Sequence, residues 1–354
     1  MESFSGFAES LPLGRYKIVK RIVGGISLVL SVLTLASFIV GQAQNAGAPA
    51  QLVGGSAAPL SNPLKVALLH WYRANLTTSF TVGSQPYGVA FDGANVWSAN
   101  FGDGTVSKVR TSDGAVLGTF KTGSQPYGIT FDGANIWVSD SAENKVTKLR
   151  ASDGTDLGDF PMGGIPGWMA FDGEDIWVPV AVNQGNGWVT KLLASNGKNL
   201  GQFTVGIGPI SSAFDGTNVW VVNGGGNSAG NVTKLRASNG TVLGTFPVGG
   251  SPTGICFDGA DIWVTNRTSG TVSKLQASDG TNLGTFDVGG LPYGIAFDGV
   301  DIWVAGAPQI VVLRASDGKT VNVINLPGTA TVGAAFDGAS VWTSGLDKNE
   351  LEKL

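Results

Sequence analysis

The sequence has 354 residues, of which 42% are hydrophobic and 14% are charged, and its formal net charge is −4. This hydrophobic share supports a sizeable core and excludes a globally disordered chain, while the acidic balance argues against nucleic-acid binding, which requires a basic face. The 54 glycines, among Val, Trp, Phe and Thr residues, are typical of short strands joined by tight turns.

The N-terminal region predicts export. Residues 1–21 form a basic segment that should stay cytoplasmic, and residues 22–41 contain the uncharged run Ile22–Val40, long enough as a helix to cross most of a bilayer core of about 30 Å. Small residues at Gly41 and Ala43 also suit a signal-peptide cleavage site. A signal peptide and a retained transmembrane anchor are therefore both open, and residues 42–66, rich in Ala, Gly, Gln, Ser and Pro, predict a flexible linker.

The rest of the chain, residues 67–354, is built from an internal repeat. The tripeptide Phe-Asp-Gly recurs every 39 to 43 residues, beginning at Phe91, Phe131, Phe171, Phe214, Phe257, Phe297 and Phe336. A tryptophan follows each of these phenylalanines by six residues, at Trp97, Trp137, Trp177, Trp220, Trp263, Trp303 and Trp342. Such a period indicates one supersecondary unit per repeat.

Each repeat divides into four strand-length segments. In the second repeat these are 127–131, 135–139, 145–149 and 156–160, with Asp-Gly pairs suited to hairpin turns between them. A single sheet of this kind would expose two apolar faces, and packing the sheets around an axis buries them. The repeat therefore predicts an all-β, seven-bladed propeller of four-stranded antiparallel blades, with the Trp and Phe side chains packed between blades.

The two ends of the repeat region predict how the ring closes. The last repeat ends at its third strand, near Asn349–Leu354, whereas Thr77–Val82 matches a fourth strand with no complete repeat before it. We expect this N-terminal strand to complete the last blade.

Most charged residues recur at the same position of each repeat, which indicates a structural role. The aspartates of the Phe-Asp-Gly tripeptides predict turn residues, and the doubled acid Glu174-Asp175 predicts a solvated turn. The lysines of the third strands, from Lys108 to Lys353, predict a solvated row that protects strand edges. Cys256 is the one cysteine, which excludes an intramolecular disulfide, and it predicts a small buried core residue.

Repeats such as the segment 126–140, Pro-Tyr-Gly-Ile-Thr-Phe-Asp-Gly-Ala-Asn-Ile-Trp-Val-Ser-Asp, resemble those of YVTN/NHL-type propellers, over about residues 70–354. That group includes streptogramin (virginiamycin B) lyase-like proteins and many exported bacterial proteins. The lyase branch implies a catalytic histidine and a bound magnesium ion. His70 is the one histidine here and precedes the first full repeat. We therefore predict no catalytic residue, no metal site and no cofactor.

The positions at which the repeats differ predict a ligand site. Loops from strand four to strand one and from strand two to strand three should share one face of the ring. The candidate ligand-binding residues are those after the linking proline and those at the end of the second strand: Tyr87, Tyr127, Trp168, Tyr293, Asn100, Asp140, Asn223 and Asn266. Aromatic rings beside amide and carboxylate groups suit a small polar ligand, a glycan or a protein.

These features together favour a monomeric, exported propeller that serves as a ligand-binding or protein-interaction platform at the cell envelope. It would be periplasmic, extracellular or held at the inner membrane by an uncleaved N-terminal helix. A lyase- or lactonase-like enzyme with a rearranged site and a structural or adhesive surface protein are the alternatives. The sequence predicts no nucleic-acid partner.

Overall fold

The computed structural model of the chain describes residues 78–224 and 229–354, and these form strands arranged in seven antiparallel sheets. The predicted export segment, most of the region before β1 and His70 lie outside the described residues. Within the described ranges there is no helix with the length and apolar character needed to span a bilayer.

The first three blades follow one another along the chain. Blade one contains β2 (Pro86–Phe91), β3 (Asn95–Asn100), β4 (Thr105–Arg110) and β5 (Val116–Lys121). Blade two contains β6 (Pro126–Phe131), β7 (Asn135–Asp140), β8 (Lys145–Arg150) and β9 (Asp156–Pro161). Blade three has a divided inner strand, and it contains β10 (Ile165–Pro166), β11 (Ala170–Phe171), β12 (Asp175–Ala181), β13 (Asn186–Leu193) and β14 (Asn199–Ile207).

The remaining blades repeat the pattern, and the last one takes a strand from the other end of the chain. Blade four contains β15 (Pro209–Phe214), β16 (Asn218–Asn223), β17 (Ala229–Arg236) and β18 (Val242–Gly250). Blade five contains β19 (Pro252–Phe257), β20 (Asp261–Asn266), β21 (Thr271–Gln276) and β22 (Asn282–Asp287). Blade six contains β23 (Leu291–Phe297), β24 (Asp301–Ala307), β25 (Gln309–Arg314) and β26 (Thr320–Asn325). Blade seven contains β27 (Thr331–Phe336), β28 (Val341–Gly345), β29 (Glu350–Lys353) and β1 (Ser79–Thr81). The predicted seven-bladed, four-stranded propeller is confirmed.

Each Phe-Asp-Gly turn is fixed by its aspartate. In blade one, Oδ1 of Asp92 accepts the backbone N–H groups of Ala94 and Asn95, and Oδ2 accepts the indole N–H of Trp97 at 2.7 Å. The same indole bond, at 2.7 or 2.8 Å, is made in all seven blades. Gly93, at a φ of 97°, occupies the left-handed region that the turn requires. The aspartates are thus structural turn residues, as predicted.

The tryptophans fill the space between neighbouring blades. Trp97 is fully buried and belongs to a cluster with Ile136 and Leu149 of blade two, and Trp137 packs in the same way on Ile176 and Leu192 of blade three. The phenylalanine of each outer strand covers its own blade's tryptophan, with ring centroids 5.3–5.7 Å apart in six blades. The inter-blade role predicted for these aromatic residues is confirmed.

Four of the six third-strand lysines are buried and the other two, Lys191 and Lys353, are half-buried, so the prediction of a solvated row was wrong. Lys148 is 5% exposed. Its ammonium lies 4.9 Å from the Trp137 ring centroid. It also donates to the carbonyl oxygens of Ala194 and Ser195 in blade three, at 2.6 and 3.1 Å. The other members of the set, which bridge to the next blade in the same way, are Lys108, Lys191, Lys234, Lys274 and Lys353. A charge that bridges two blades has its acceptors on another repeat, which explains its burial.

The ring closes through β1. Its residues Ser79, Phe80 and Thr81 pair with Glu352, Leu351 and Glu350 of β29 in an antiparallel ladder. Phe80 is 8% exposed, and its ring lies 5.3 Å from that of Trp342. The expectation that an N-terminal strand completes the last blade is confirmed.

The interface between blades six and seven lacks the contacts that join the other neighbours. Elsewhere the outer phenylalanine lies against a glycine in the next blade's turn from strand three to strand four, as Phe120 lies against Gly154. Blade seven takes β1 as its outer strand, so no such turn joins it to β29. Blade six accordingly carries Val312 opposite Trp303 and Ile324 at the outer position.

We expect Lys148→Met to destabilise the propeller by about 2–3 kcal/mol, because it removes a charged donor from two carbonyl groups and a cation from an aromatic ring. Urea denaturation would measure the change. The exposed Lys198→Met is the matched control and should change stability by less than about 0.5 kcal/mol. Equal effects of the two substitutions would contradict the bridging role.

We expect Phe80→Ala to destabilise the protein by about 3–5 kcal/mol, because it empties the space between Trp342 and blade one. Ile324→Ala is the control: this residue has the equivalent position in blade six, where no neighbouring turn covers it, and about 1 kcal/mol is expected. Thermal and urea unfolding would compare the two. A smaller loss for Phe80→Ala than for Ile324→Ala would show that β1 does not close the ring.

Candidate functional site

The loops at one end of the blades are joined to the segments that link neighbouring blades. The backbone N–H of Phe101 donates to the carbonyl of Gln85 at 2.9 Å, and that of Arg267 donates to the carbonyl of Ser251 at 3.1 Å. Each pair connects a loop between strands two and three to the linker that precedes strand one of the same blade. The two sets of loops therefore share one face of the ring, as the sequence predicts.

Five aromatic side chains meet on this face, around the axis of the ring; we call them the aromatic mouth. Its members are Tyr87 and Phe101 of blade one, Tyr127 of blade two, Trp168 of blade three and Tyr293 of blade six. Neighbouring ring centroids lie 4.9–5.7 Å apart, with interplanar angles of 30–63°. These are the separations of favourable aromatic pairs.

A cavity of about 290 Å³ is lined by four of these rings, those of Tyr87, Phe101, Tyr127 and Tyr293. Its remaining wall is mostly apolar and comes from Ser141, Ile165, Pro166, Gly167, Ala181, Pro209 and Ile210. A separate channel of about 140 Å³ follows the inner strands along the axis, and Trp168 lines it. The mouth is thus a partly apolar depression of small-molecule size.

Two tyrosine hydroxyls meet within the mouth. The hydroxyl oxygens of Tyr127 and Tyr293 lie 2.5 Å apart, and one of them donates to the other. Burial raises the pKa of Tyr127 well above its usual value of 10.0, and the neighbouring Tyr293 and Tyr87 raise it further. Burial likewise raises the pKa of Tyr293. Both phenols therefore carry their protons at neutral pH, and the pair has two O–H protons with one hydrogen bond between them.

Trp168 enters the mouth because the inner strand of blade three is interrupted. It stands two residues after Pro166, at the position that glycine occupies in five other blades (Gly88, Gly128, Gly254, Gly294 and Gly333). A Cβ atom at Gly88 would lie 2.6 Å from the carbonyl oxygen of Tyr127 in the next blade, so the regular inner strand has little room there for a side chain.

The interruption between β10 and β11 provides that room. Trp168 instead pairs in parallel with Ser211 of blade four, and its backbone N–H donates to the carbonyl of Ile210 at 2.8 Å. The indole N–H donates to the carbonyl of Tyr127 at 3.1 Å. The ring is therefore held against blade two, at the centre of the aromatic mouth.

Arg267, in the loop after β20, adds a positive charge to this face. The side chain is exposed, and its guanidinium lies 5.5 Å from the ring centroid of Tyr293. Cations at this distance from an aromatic face are attracted to it.

The four polar candidates at the ends of the second strands lie inside the blades, at most 1% exposed. The amide of Asn100 donates to Thr105 and Ser107 at 3.0 and 2.9 Å. Asn223 and Asn266 donate in the same way within their own blades, and their amide oxygens accept backbone N–H groups of the preceding linker. Asp140 accepts three backbone N–H groups at 2.7–3.0 Å. The structure therefore places the four predicted aromatic residues together and these four polar residues apart from them.

Phe101 and Arg267 were not among the predicted site residues. They follow Asn100 and Asn266 directly, and successive side chains of an extended segment point to opposite sides. A buried residue at the end of the second strand thus leaves the next residue to face the mouth. Strand alternation in the sequence could have located both.

The other positions considered for chemistry are structural in the described part of the chain. The prediction that Glu174-Asp175 is a solvated turn was wrong for Asp175 alone: Glu174 is exposed, whereas Asp175 is 4% exposed and pairs with Lys191 at 2.8 Å. Cys256 is half-buried, and burial raises the pKa of its thiol. Across residues 78–224 and 229–354, no group of three or more His, Cys, Asp or Glu side chains is placed to hold a metal ion.

No protein-family model matches the chain, and no curated protein matches its sequence significantly. Solved structures do share its fold. Hydrazine synthase from Kuenenia stuttgartiensis is 16% identical, with a TM-score of 0.69 over 79% of this chain and 97% of that one.

Two lyases are similar to the same extent. A streptogramin B lyase is 19% identical, with a TM-score of 0.65 over 78% of this chain and 97% of the lyase. A catalytically inactive virginiamycin B lyase from Staphylococcus aureus, solved with quinupristin, is 18% identical, with a TM-score of 0.64 over the same shares. At these identities the likeness establishes the seven-bladed fold, which supports unrelated activities.

Proposed function

We propose that this propeller is a ligand-binding platform and that the aromatic mouth is its site. The ligand is a small molecule that presents a flat, mainly apolar face, as an aromatic ring or a sugar ring does. We further propose, from the N-terminal sequence, that the chain is exported and works at the cell envelope, free or tethered through residues 22–41.

The convergence of five aromatic rings from four blades is the observation that carries this proposal. The tryptophans of the Phe-Asp-Gly repeats stabilise the ring between neighbouring sheets. Four of these five side chains instead line a cavity of about 290 Å³, and the fifth, Trp168, packs against two of the four. A ring that stacks on two of them would gain about 0.5–1.5 kcal/mol from each contact beyond the burial of its surface.

The break in blade three supports the same role. A regular inner strand with glycine, as in Gly88 or Gly128, would pack without interruption. Blade three instead has an interrupted inner strand, in which Trp168 lines the channel. Local rules of a repeat are most often violated where function requires it.

A binding function is favoured over a lyase reaction by the residues at the mouth. The resemblance to the lyases implies a catalytic histidine and magnesium, whereas the blades contain no histidine and the sole one, His70, precedes them. The mouth presents phenol, indole and guanidinium groups instead. These groups can stack on a ligand and donate hydrogen bonds to it.

The proposal is tested with a neutral aromatic probe, 2-naphthamide, by calorimetry and by quenching of tryptophan fluorescence. We expect saturable binding that weakens at least about tenfold when Tyr127 and Trp168 are both replaced by alanine, because two stacking surfaces are lost. The substitution Ser141→Trp, at the edge of the cavity, should fill it and block the probe without altering the core.

Trp188→Ala is the matched control, because it removes a tryptophan from the same blade outside the mouth. Melting temperatures of all variants establish that they fold. Undiminished binding in both Ser141→Trp and the double variant would refute the site. The site would also be refuted if the unmodified protein bound neither 2-naphthamide nor any member of a panel of mono- and disaccharides.

A further inference from the structure

The guanidinium of Arg267 has no hydrogen-bond acceptor or ion-pair partner among the described residues, although it lies 5.5 Å from the Tyr293 ring centroid. Three of the four described arginines at the other end of the blades do have a partner, whereas Arg236, with Asn239 three residues later, has none among the described residues. Arg110, Arg150 and Arg314 each pair with the aspartate three residues later, at 2.8–3.2 Å. The residue three after Arg267 is Gly270.

The loop that contains Arg267 has also lost the acid found in its counterparts. Blades one and two carry Asp103 and Glu143 in this loop, where they accept the N–H of Ser84 and the hydroxyl of Ser124. In blade five Ser269 takes that place and accepts the N–H of Gly250 at 2.7 Å. The loop therefore keeps its contact with the linker but leaves Arg267 without a negative neighbour of its own.

The hydroxyl pair of Tyr127 and Tyr293 adds a second unused donor. One of its two O–H protons forms the bond between the oxygens, and no other described side chain or carbonyl accepts the remaining one. The charge of Arg267 acts on both hydroxyls, since it lowers the pKa of each against the stronger effect of burial. The two tyrosines line the depression, and the guanidinium lies beside one of them, Tyr293.

Acceptors are scarce in this depression. The indole N–H of Trp168 already donates to the carbonyl of Tyr127, and the hydroxyl of Ser141 donates to the carbonyl of Gln125. A surface rich in unused donors and positive in charge favours a ligand with anionic oxygen atoms and disfavours a cation. A guanidinium matches the two oxygens of a carboxylate in geometry as well as in charge.

We propose that the ligand of the aromatic mouth is a ring-bearing carboxylate, with its ring on the aromatic side chains and its carboxylate on Arg267 and the free phenol proton. This inference rests on the proposed function and specifies the chemical class of the ligand. Arg267 acts as the residue that selects the anion, whereas stacking supplies binding that does not depend on charge.

The experiment compares 2-naphthoate with the neutral 2-naphthamide at pH 7.5, because the two share a ring system and differ in charge. We expect the unmodified protein to bind the naphthoate about tenfold or more tightly than the amide, which corresponds to one charge-assisted contact. Arg267→Gln should reduce this ratio to about one, because the naphthoate loses more affinity than the amide. Arg267→Lys should retain part of the ratio, since lysine keeps the positive charge but lacks the paired N–H donors that match the two carboxylate oxygens.

The control is Arg236→Gln, which removes an exposed arginine at the end of β17, on the opposite face of the ring. It should leave the ratio intact. Equal affinity for the two probes in the unmodified protein would overturn the anion preference and leave the aromatic site standing. Failure of both probes to bind would instead count against the site itself.

The probe 2-naphthyl phosphate distinguishes a preference for carboxylate from a preference for any anion. Tighter binding of this phosphate than of 2-naphthoate would overturn the carboxylate assignment.

Discussion

A buried indole N–H requires an acceptor, and this requirement organises the whole ring. Each blade's tryptophan lies between two sheets, where an unpaired N–H would cost roughly 1–3 kcal/mol. The aspartate five residues earlier supplies the acceptor from the turn it also shapes, as Asp92 does for Trp97 at 2.7 Å. Turn geometry, ring orientation and inter-blade packing are therefore fixed by one side chain. The invariance of the Phe-Asp-Gly and Trp spacing follows from this bond.

Contacts between neighbouring blades also determine which positions of the repeat can change. The lysine and the outer phenylalanine serve the following blade, because their partners are the turn carbonyls and the glycine of its turn from strand three to strand four. The outer strand of blade seven is β1, which comes from the other end of the chain. Blade seven therefore has no turn from strand three to strand four that blade six could contact. Val312 and Ile324 take the two positions there. Residues that differ between repeats can thus report on the neighbouring blade rather than on their own.

The fold could be predicted from the sequence because each signal is local: a turn, an alternating strand and an aromatic residue at a fixed spacing. The position of the third-strand lysines between two blades could not be predicted, because their acceptors lie about 43 residues away, on another blade. A charged side chain considered without its acceptors indicates a solvent-exposed position. The four polar candidates lie inside the blades for a different reason. Strand alternation places Asn100 in the interior and Phe101 among the rings of the aromatic mouth. The three tyrosines come together because each directly follows the proline of an inner strand, whereas Trp168 stands one position later and joins them through the interrupted strand of blade three.

Trp168 occupies an inner-strand position whose residue type is not explained by packing of the scaffold. The inner strands come so close at the axis that the neighbouring backbone excludes a Cβ atom at most of these glycine positions. A scaffold optimised for packing would therefore keep glycine in blade three. The chain instead has Gly167 one residue earlier and an interrupted strand, and it recovers the lost pairing through a parallel bridge to Ser211. The indole so placed contacts the rings of Tyr127 and Tyr293 from opposite blades. The stability of the ring does not require this departure, since the six other blades pack without it, and the departure is therefore the part of the scaffold on which the proposed binding role depends.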